Sequence, residues 1–332
     1  MSGSMWAAVF DRHGGPEVLE HRQVERPTPS PGEVLVKVRY CALNALDFFV
    51  RRGVPGIHVS LPHISGGDVV GTVVAGVGEE GEKLVGELVL VDPLIEGQAL
   101  GESRPGGLAE YVAVPAANAL VLGRDSASPE AYAALPIAYG TAHRMLHPRG
   151  RIQAGETIVV LGAAGGVGVA CIQLAKLAGA RVIACSSSKA KLERIQELGA
   201  VETVDTTKDN FSARVWQLTG KVGADLVVDY IGKDTLAGTI RCTRPGGRIV
   251  CCGASSGSEA SLDLRYLWVR ELNLLGSDGW QREDLDTLRD LVAGGSLSPV
   301  IDSVWPLSEV RQALARVEDR EAFGKVLVQV GA

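Results

Sequence analysis

A doubly wound α/β parallel sheet joined to a β-rich second domain is the fold class this sequence predicts, and three observations carry it. The first is the stretch 157–191, TIVVLGAAGGVGVACIQLAKLAGARVIACSSSKAK, which reads strand, glycine turn, helix, strand. That order within about 30 residues is a dinucleotide-binding βαβ unit. The second is the alternation of strand and helix patterns that continues after it, as a parallel sheet requires. The third is the stretch 5–124, where short apolar runs are broken by Gly and Pro and no helical period appears.

Taken in order, 6–10 and 34–40 read as strands, with Pro27, Pro29, Pro31 and Gly32 forming the turn between them. Strands at 69–77 and 84–91 follow, and 107–114 (GLAEYVAV) alternates like a half-buried strand. Spacing of this kind predicts an antiparallel partial barrel. Helical periodicity begins near Ser128, where Pro129 and Glu130 supply a proline and an acid for a first turn. Beyond the nucleotide unit, 226–230, 248–252 and 273–276 read as strands, and 211–219, 234–242 and 282–294 as helices. The tail 298–330 reads strand, helix, strand, and the pattern alone does not place it.

The glycine turn has a physical task. In Gly162-Ala163-Ala164-Gly165-Gly166-Val167-Gly168, Gly165 lets the main chain approach a pyrophosphate and Gly168 lets the helix pack close to the strand. The free N–H groups of the helix start would hold the phosphates. Ala163 stands where the usual fingerprint has its first glycine. At the second strand an NAD site carries Asp or Glu to accept from the adenosine ribose. Here the strand ends in Ser186, Ser187 and Ser188, followed by Lys189 and Lys191, with no carboxylate. Hydroxyls and lysines suit a 2′-phosphate, so the expected cofactor is NADP(H); a solvated Ser/Lys loop is the plainer alternative.

The 332 residues suggest two domains, and 46% apolar content is ample for two cores. A net charge of −6 without a Lys/Arg cluster argues against nucleic acid as a partner. No signal peptide and no apolar run near 18 residues is apparent, so neither secretion nor membrane insertion is expected. The six cysteines lack a framework spacing and read as reduced core residues, which fits a cytoplasmic protein. Met1–Ser4 is set aside as a remnant ahead of Met5.

The sequence resembles the medium-chain dehydrogenase/reductase superfamily, in its zinc-independent, quinone-oxidoreductase-like branch. The segments that carry the resemblance are HGGPEVL (13–19), GEVLVKV (32–38), CALNALDFFVRRG (41–53), GGDVVG (66–71), GGLAEYV (106–112), LPIAYGTA (135–142), GAAGGVG (162–168), PGGRIV (245–250) and FGKVLV (323–328). The resemblance implies a GroES-like catalytic domain over 5–124, a Rossmann NADP-binding domain over 125–297 and a return of 298–332 to the catalytic domain. It also implies an active site in the cleft, and a homodimer or homotetramer joined edge to edge through 272–276.

Where the zinc enzymes of the superfamily carry Cys, His and Cys ligands, this sequence has Asn44, Gly67 and Ile137. Gly and Ile cannot bind a metal and Asn is a poor zinc ligand, so no metal is expected. Leu46 and Phe49 occupy the family's proton-relay positions. Without a Lewis acid, alcohol oxidation is hard, whereas hydride transfer to an electron-poor acceptor is easier, with the proton taken from water. Asn44, Asp47 and Tyr139 are the catalytic candidates. The plainer alternatives are a capping pair for Asn44 and Asp47 and an aromatic at the cleft edge for Tyr139. Cofactor contacts are expected from Asn44, Thr141, Ala163, Gly165, Gly166, Val167, Gly168, Ser186, Ser187, Lys191, Gly253, Ala254, Ser255 and Lys325, although an exposed lysine is the default for Lys325. His63 and His143 read as structural histidines with a lesser claim to proton transfer.

Three functions fit. The first is an NADPH-dependent reductase of quinones or activated enones. The second is a ketone or aldehyde reductase of unusual range. The third is a weakly catalytic NADPH-binding protein.

Overall fold

The computed structural model describes residues 3–53, 59–122 and 128–331. The chain divides into two compact units, residues 1–137 with 285–332, and residues 138–284. The expected boundary between 124 and 125 lies outside the described residues.

The first unit is built on an 11-residue strand, Glu33–Leu43, whose inward positions Val34, Val36, Val38 and Leu43 are fully or nearly fully buried. Its length lets it serve three partners. Asp68–Gly76 pairs along one side, while Tyr111–Pro115 and then the tail strand Lys325–Gln329 pair along the other, all antiparallel. Leu88–Val91 and Ala119–Val121 extend the sheet beyond Asp68–Gly76, and Ile301–Pro306 adds in parallel to the tail strand. The outcome is the antiparallel β-rich unit that the sequence predicts, made mixed by that tail pair. Val69, Val73, Val89, Leu108, Val326 and Val328 fill its core.

A smaller sheet sets Ser4–Phe10 between Glu20–Glu25 and His63–Ile64. Glu20–Glu25 is a strand that the sequence reading, which sets a turn at Pro27–Gly32, leaves unassigned. Its residues, EHRQVE, lie at the sheet edge with none of them buried, so no apolar alternation marks them. The expected strand 84–91 is also corrected. Residues Glu79–Lys83 are helical, Gly86 turns at φ +91°, and only Leu88–Val91 is strand. Likewise the expected strand 107–114 is observed at Tyr111–Pro115.

The second unit is a six-stranded, wholly parallel sheet. Its order is Glu202–Asp205, Arg181–Ser186, Thr157–Leu161, Ala224–Val228, Thr243–Cys251, Asn273–Gly276. The chain runs outward from Thr157–Leu161 in one direction, returns, and runs outward in the other, so the sheet's switch point lies beside that strand. Val159, Leu161, Ile183, Val204, Val227 and Ile249 bury the central strands, and Val215 and Ile240 pack on them from helices. The helix Lys189–Leu198 and the strand Glu202–Asp205 are additions to the sequence reading, which leaves 187–191 as a loop. No helix among the described residues is long and apolar enough to cross a membrane.

Candidate functional site

In the first unit the expected residues Asn44, Asp47 and Lys325 come together around Asp68. The strand Glu33–Leu43 ends at Asn44, which caps the helix Ala45–Arg52. Asp47, in the first turn, accepts from the Asn44 N–H at 2.7 Å and from the Gly66 N–H at 2.9 Å. Both of its oxygens therefore act on backbone donors, as a cap requires. Burial raises the Asp47 carboxyl to about 6, against the lowering effect of the Asn44 hydrogen bond.

Asn44 is held at both ends of its amide. Its Nδ2 donates to Asp68 Oδ2 at 2.9 Å, and its Oδ1 accepts from Lys325 Nζ at 2.5 Å. Lys325 is only 1% exposed, and its ammonium also donates to Asp68 Oδ2 (2.9 Å) and the Leu43 carbonyl (3.0 Å). The default of an exposed lysine is thereby overturned, because three acceptors take its three protons. Asp68 is fully buried, and its other oxygen accepts from the Ile137 N–H at 2.8 Å. Ile137 lies in the π-helical turn Leu135–Tyr139, a geometry that shifts the usual i−4 backbone bonding.

The three places where the zinc enzymes of the resembled family carry ligands are thus otherwise engaged. Asn44 is clamped between a carboxylate and an ammonium. A side chain on Gly67 would begin 2.8 Å from Ile137 Cδ1 and 2.9 Å from the Leu100 carbonyl, so isoleucine fills that space. This donor set does not fit a catalytic zinc.

In the second unit Tyr139 is fully buried, and its hydroxyl donates to Gln173 Oε1 at 2.6 Å. That differs from an aromatic at a cleft edge. Thr141 follows in the helix Gly140–Arg144, also buried. His143 shares a 2.6 Å contact with Asp284, and His63, in the first unit, meets the Gly101 carbonyl, with burial lowering its pKa.

The glycine turn is built as its spacing predicts. A Cβ on Gly168 would come within 2.5 Å of the Gly162 carbonyl and 2.7 Å of Ala163 Cα, so the helix Gly166–Leu177 reaches its packing distance only with glycine there. Gly165 caps that helix, and a Cβ on it would meet nothing nearer than 3.7 Å. Its face is open, and the N–H groups of Gly166 and Val167 have no acceptor within the helix, while that of Gly168 donates to the Tyr230 hydroxyl oxygen. Tyr230, which the sequence reading misses, donates to the Gly162 carbonyl at 2.7 Å and fixes the turn from beneath.

At the end of the neighbouring strand Ser186 is buried, and its Oγ accepts from the Ser188 N–H at 3.1 Å. Ser187 is exposed and Lys191 lies in the next helix. Asp205 pairs with Ser186 in the strand register, but its carboxylate is taken up by Thr207 and Lys208. Gly253, Ala254 and Ser255 follow the strand Thr243–Cys251, and the Ser255 N–H donates to the Tyr230 carbonyl at 3.1 Å. A dinucleotide fits this arrangement, with the glycine face open to its pyrophosphate and three strand ends beyond it.

The model for the alcohol dehydrogenase GroES-like domain matches residues 30–124, and that for zinc-binding dehydrogenases matches 166–294. A quinone oxidoreductase of Pseudomonas aeruginosa is 32% identical, across 96% of this chain and 98% of its own length. The chain belongs to the medium-chain dehydrogenase/reductase superfamily. Among solved structures, an NAD-dependent alcohol dehydrogenase superposes with a TM-score of 0.92 at 40% identity, covering 98% of this chain and 100% of that one. A cobalt- and zinc-bound thermostable alcohol dehydrogenase from Pyrobaculum aerophilum superposes at 0.88 with 32% identity, covering 99% and 100%. The protein is an oxidoreductase of the quinone-oxidoreductase-like and alcohol-dehydrogenase-like kind, in a family that binds a nicotinamide cofactor.

Proposed function

We propose that this protein reduces a quinone or an activated enone with NADPH and without zinc. The observation that carries the reading is the clamped Asn44 amide, together with Ile137 packed over Gly67 where metal ligands would be needed. A site lacking a Lewis acid favours acceptors that are already electron-poor. A bound nicotinamide cofactor supplies the hydride. The chain's part would be to hold it: the N–H groups of Gly166 and Val167 would serve the pyrophosphate, Ser186, Ser187 and Lys191 the 2′-phosphate, and the Gly253–Ser255 main chain and Thr141 the nicotinamide, with Gly168 keeping the helix close to the turn. Hydride adds to the β-carbon of an enone, the electron pair moves to the carbonyl oxygen, and a proton from water completes the product. Asn44 is the side chain this unit offers to an acceptor, and Asp68 and Lys325 fix its orientation. Asp47 acts as a cap and Tyr139 as a support through Gln173.

A ketone or aldehyde reductase is the second reading, favoured by the 40% identical alcohol dehydrogenase structure. That protein's NAD dependence also bears on the cofactor. The NADPH preference rests on Ser186 standing at the strand end where an acid would mark NAD.

The test is a screen of quinones, enones, ketones and aldehydes followed by NADPH absorbance, with dissociation constants for both cofactors. We expect turnover of quinones or enones, a preference for NADPH of tenfold or more (about 1.4 kcal/mol), and its erosion in Ser186→Asp. Equal affinities sink the cofactor assignment. Activity lost to EDTA and restored by zinc sinks the metal-free reading.

A further inference from the structure

The helix Gly166–Leu177 starts with a conflict of demands. Its cap is Gly165, which has no side-chain oxygen to offer the first turn. A serine or aspartate there would satisfy one of the first N–H groups. It would also place a side chain on the open face of the turn, where a Cβ meets nothing nearer than 3.7 Å. The turn keeps its open face, and the third N–H of the helix, from Gly168, has to be satisfied from elsewhere.

Tyr230 satisfies it from the end of another strand. Its hydroxyl accepts from the Gly168 N–H and donates to the Gly162 carbonyl at 2.7 Å. Gly162 turns at φ +67°, and its carbonyl also accepts from the Gly165 N–H at 3.2 Å. One phenol thus joins the first and last residues of the glycine turn. Burial pushes that phenol well above its ordinary range, so the proton it donates stays in place.

The main chain of the same residue is tied to a second loop. The Tyr230 carbonyl accepts from the Ser255 N–H at 3.1 Å, and the Ile231 carbonyl accepts from the Ser256 N–H at 2.8 Å and its Oγ at 2.7 Å. Ser256 Oγ in turn accepts from the Asp234 N–H at 3.1 Å. Asp229 locks the bend between them, its Oδ1 accepting from the Ile231 and Gly232 N–H groups at 3.1 Å each. The loops after Ala224–Val228 and Thr243–Cys251 are therefore one hydrogen-bonded body, which the Tyr230 side chain links to the glycine turn.

We infer that Tyr230 is a positioning residue for the dinucleotide. It is a cap lent by another strand, which leaves the Gly166 and Val167 N–H groups to the pyrophosphate and fixes the spacing between that turn and the Gly253–Ser255 loop. Phenylalanine would fill the same space but leave the Gly168 N–H without its acceptor and the Gly162 carbonyl without its shorter bond. The inference rests on the cofactor part of the reading above, and only its hydride assay depends on the acceptor.

The experiment measures binding of NADPH, NADH and adenosine 2′-monophosphate to the unaltered protein and to Tyr230→Phe by calorimetry. The two dinucleotides share the pyrophosphate, so both dissociation constants should rise tenfold or more (about 1.4 kcal/mol) with their ratio unchanged. Adenosine 2′-monophosphate has no pyrophosphate and should bind as before. Single-turnover hydride transfer from saturating NADPH to menadione should slow severalfold. Dinucleotide affinities that stay within twofold, or tighten, overturn the inference. So does a loss shared by all three ligands, which marks general damage to the unit, and so does an unchanged hydride-transfer rate. If menadione is not reduced, or adenosine 2′-monophosphate does not bind the unaltered protein, the reductase or the 2′-phosphate reading falls, while the dinucleotide constants still decide the role of Tyr230. If Tyr230→Phe does not fold, amide exchange in the unaltered protein takes its place. The Gly168 N–H should be protected without cofactor, and those of Gly166 and Val167 only with NADP⁺ bound. A Gly168 amide that exchanges as fast as those two overturns the inference.

Discussion

Replacing Lys325 by methionine keeps the unbranched stem and removes only the ammonium. Asp68 Oδ2 then retains the Asn44 donor alone, while Asn44 Oδ1 and the Leu43 carbonyl lose theirs, in a site where Asp68 is fully buried. Breaking a buried ion pair from one side costs about 3–5 kcal/mol, because a charge is left unpaired away from water. Asp68→Asn breaks it from the other side at similar cost. The double variant carries no charge and loses mainly hydrogen bonds, about 1–3 kcal/mol. The single effects should therefore fail to add, by at least about 2 kcal/mol. A chain of two compact units has no single unfolding free energy, so the measurement is native-state hydrogen exchange on Glu33–Leu43 and Lys325–Gln329. A loss below about 1 kcal/mol in Lys325→Met, or singles that simply sum, would show that the ammonium is not held as described.

Two glycines in one turn should part company. Gly168→Ala, with its Cβ 2.5 Å from a backbone oxygen, should lower the melting temperature and cofactor binding together, whereas Gly165→Ala should leave melting unchanged and weaken NADPH binding in calorimetry. Asp47, raised by burial from 3.8 to about 6, binds a proton more readily folded than unfolded, so its contribution to stability falls as pH rises from about 4 to 6. Asp47→Asn should remove that part of the pH dependence while costing about 1–3 kcal/mol, since an amide cannot accept from two N–H groups at once as the carboxylate does; native-state hydrogen exchange on Ala45–Arg52 from pH 4 to 7 reads both. Asn273–Gly276 ends the parallel sheet, and Leu264, Trp268 and Val269 on the preceding helix are more than half exposed. We expect a homodimer or homotetramer through this edge, shifted toward monomer by Trp268→Glu in light scattering; a monomer for the unaltered chain at micromolar concentration rejects it.

The parallel sheet was legible because its strands are continuous apolar runs and its glycines have no substitute: nothing but Gly fits at 168, whichever chain supplies the turn. Glu20–Glu25 was not, because an edge strand with no buried residue carries no pattern. Lys325 was misread for a different reason. Its acceptors Asp68 and Asn44 lie 257 and 281 residues away, and no local signal distinguishes a lysine with such partners from one in water. Tyr139 and Tyr230 likewise depend on partners, Gln173 and the Gly162 carbonyl, that only the folded chain brings near. Spacing thus located the glycine turn and the helix cap, while the polar network around Asp68 required the tail strand to be placed first.

That tail strand also sets an order of events during synthesis. Glu33–Leu43 emerges from the ribosome early, but the Tyr40–Leu43 end of one edge closes only when Lys325–Gln329 arrives, with Lys325 282 residues after Leu43. All six strands of the parallel sheet are available well before then. The inserted unit can therefore assemble while the first waits with an open edge and an acid at residue 68 that lacks its counter-ion. A chain that stopped short of Lys325 would keep its nucleotide fold and never complete the other. Such products would present unpaired strand edge to chaperones and proteases, which makes the arrival of Lys325–Gln329 a checkpoint for the molecule.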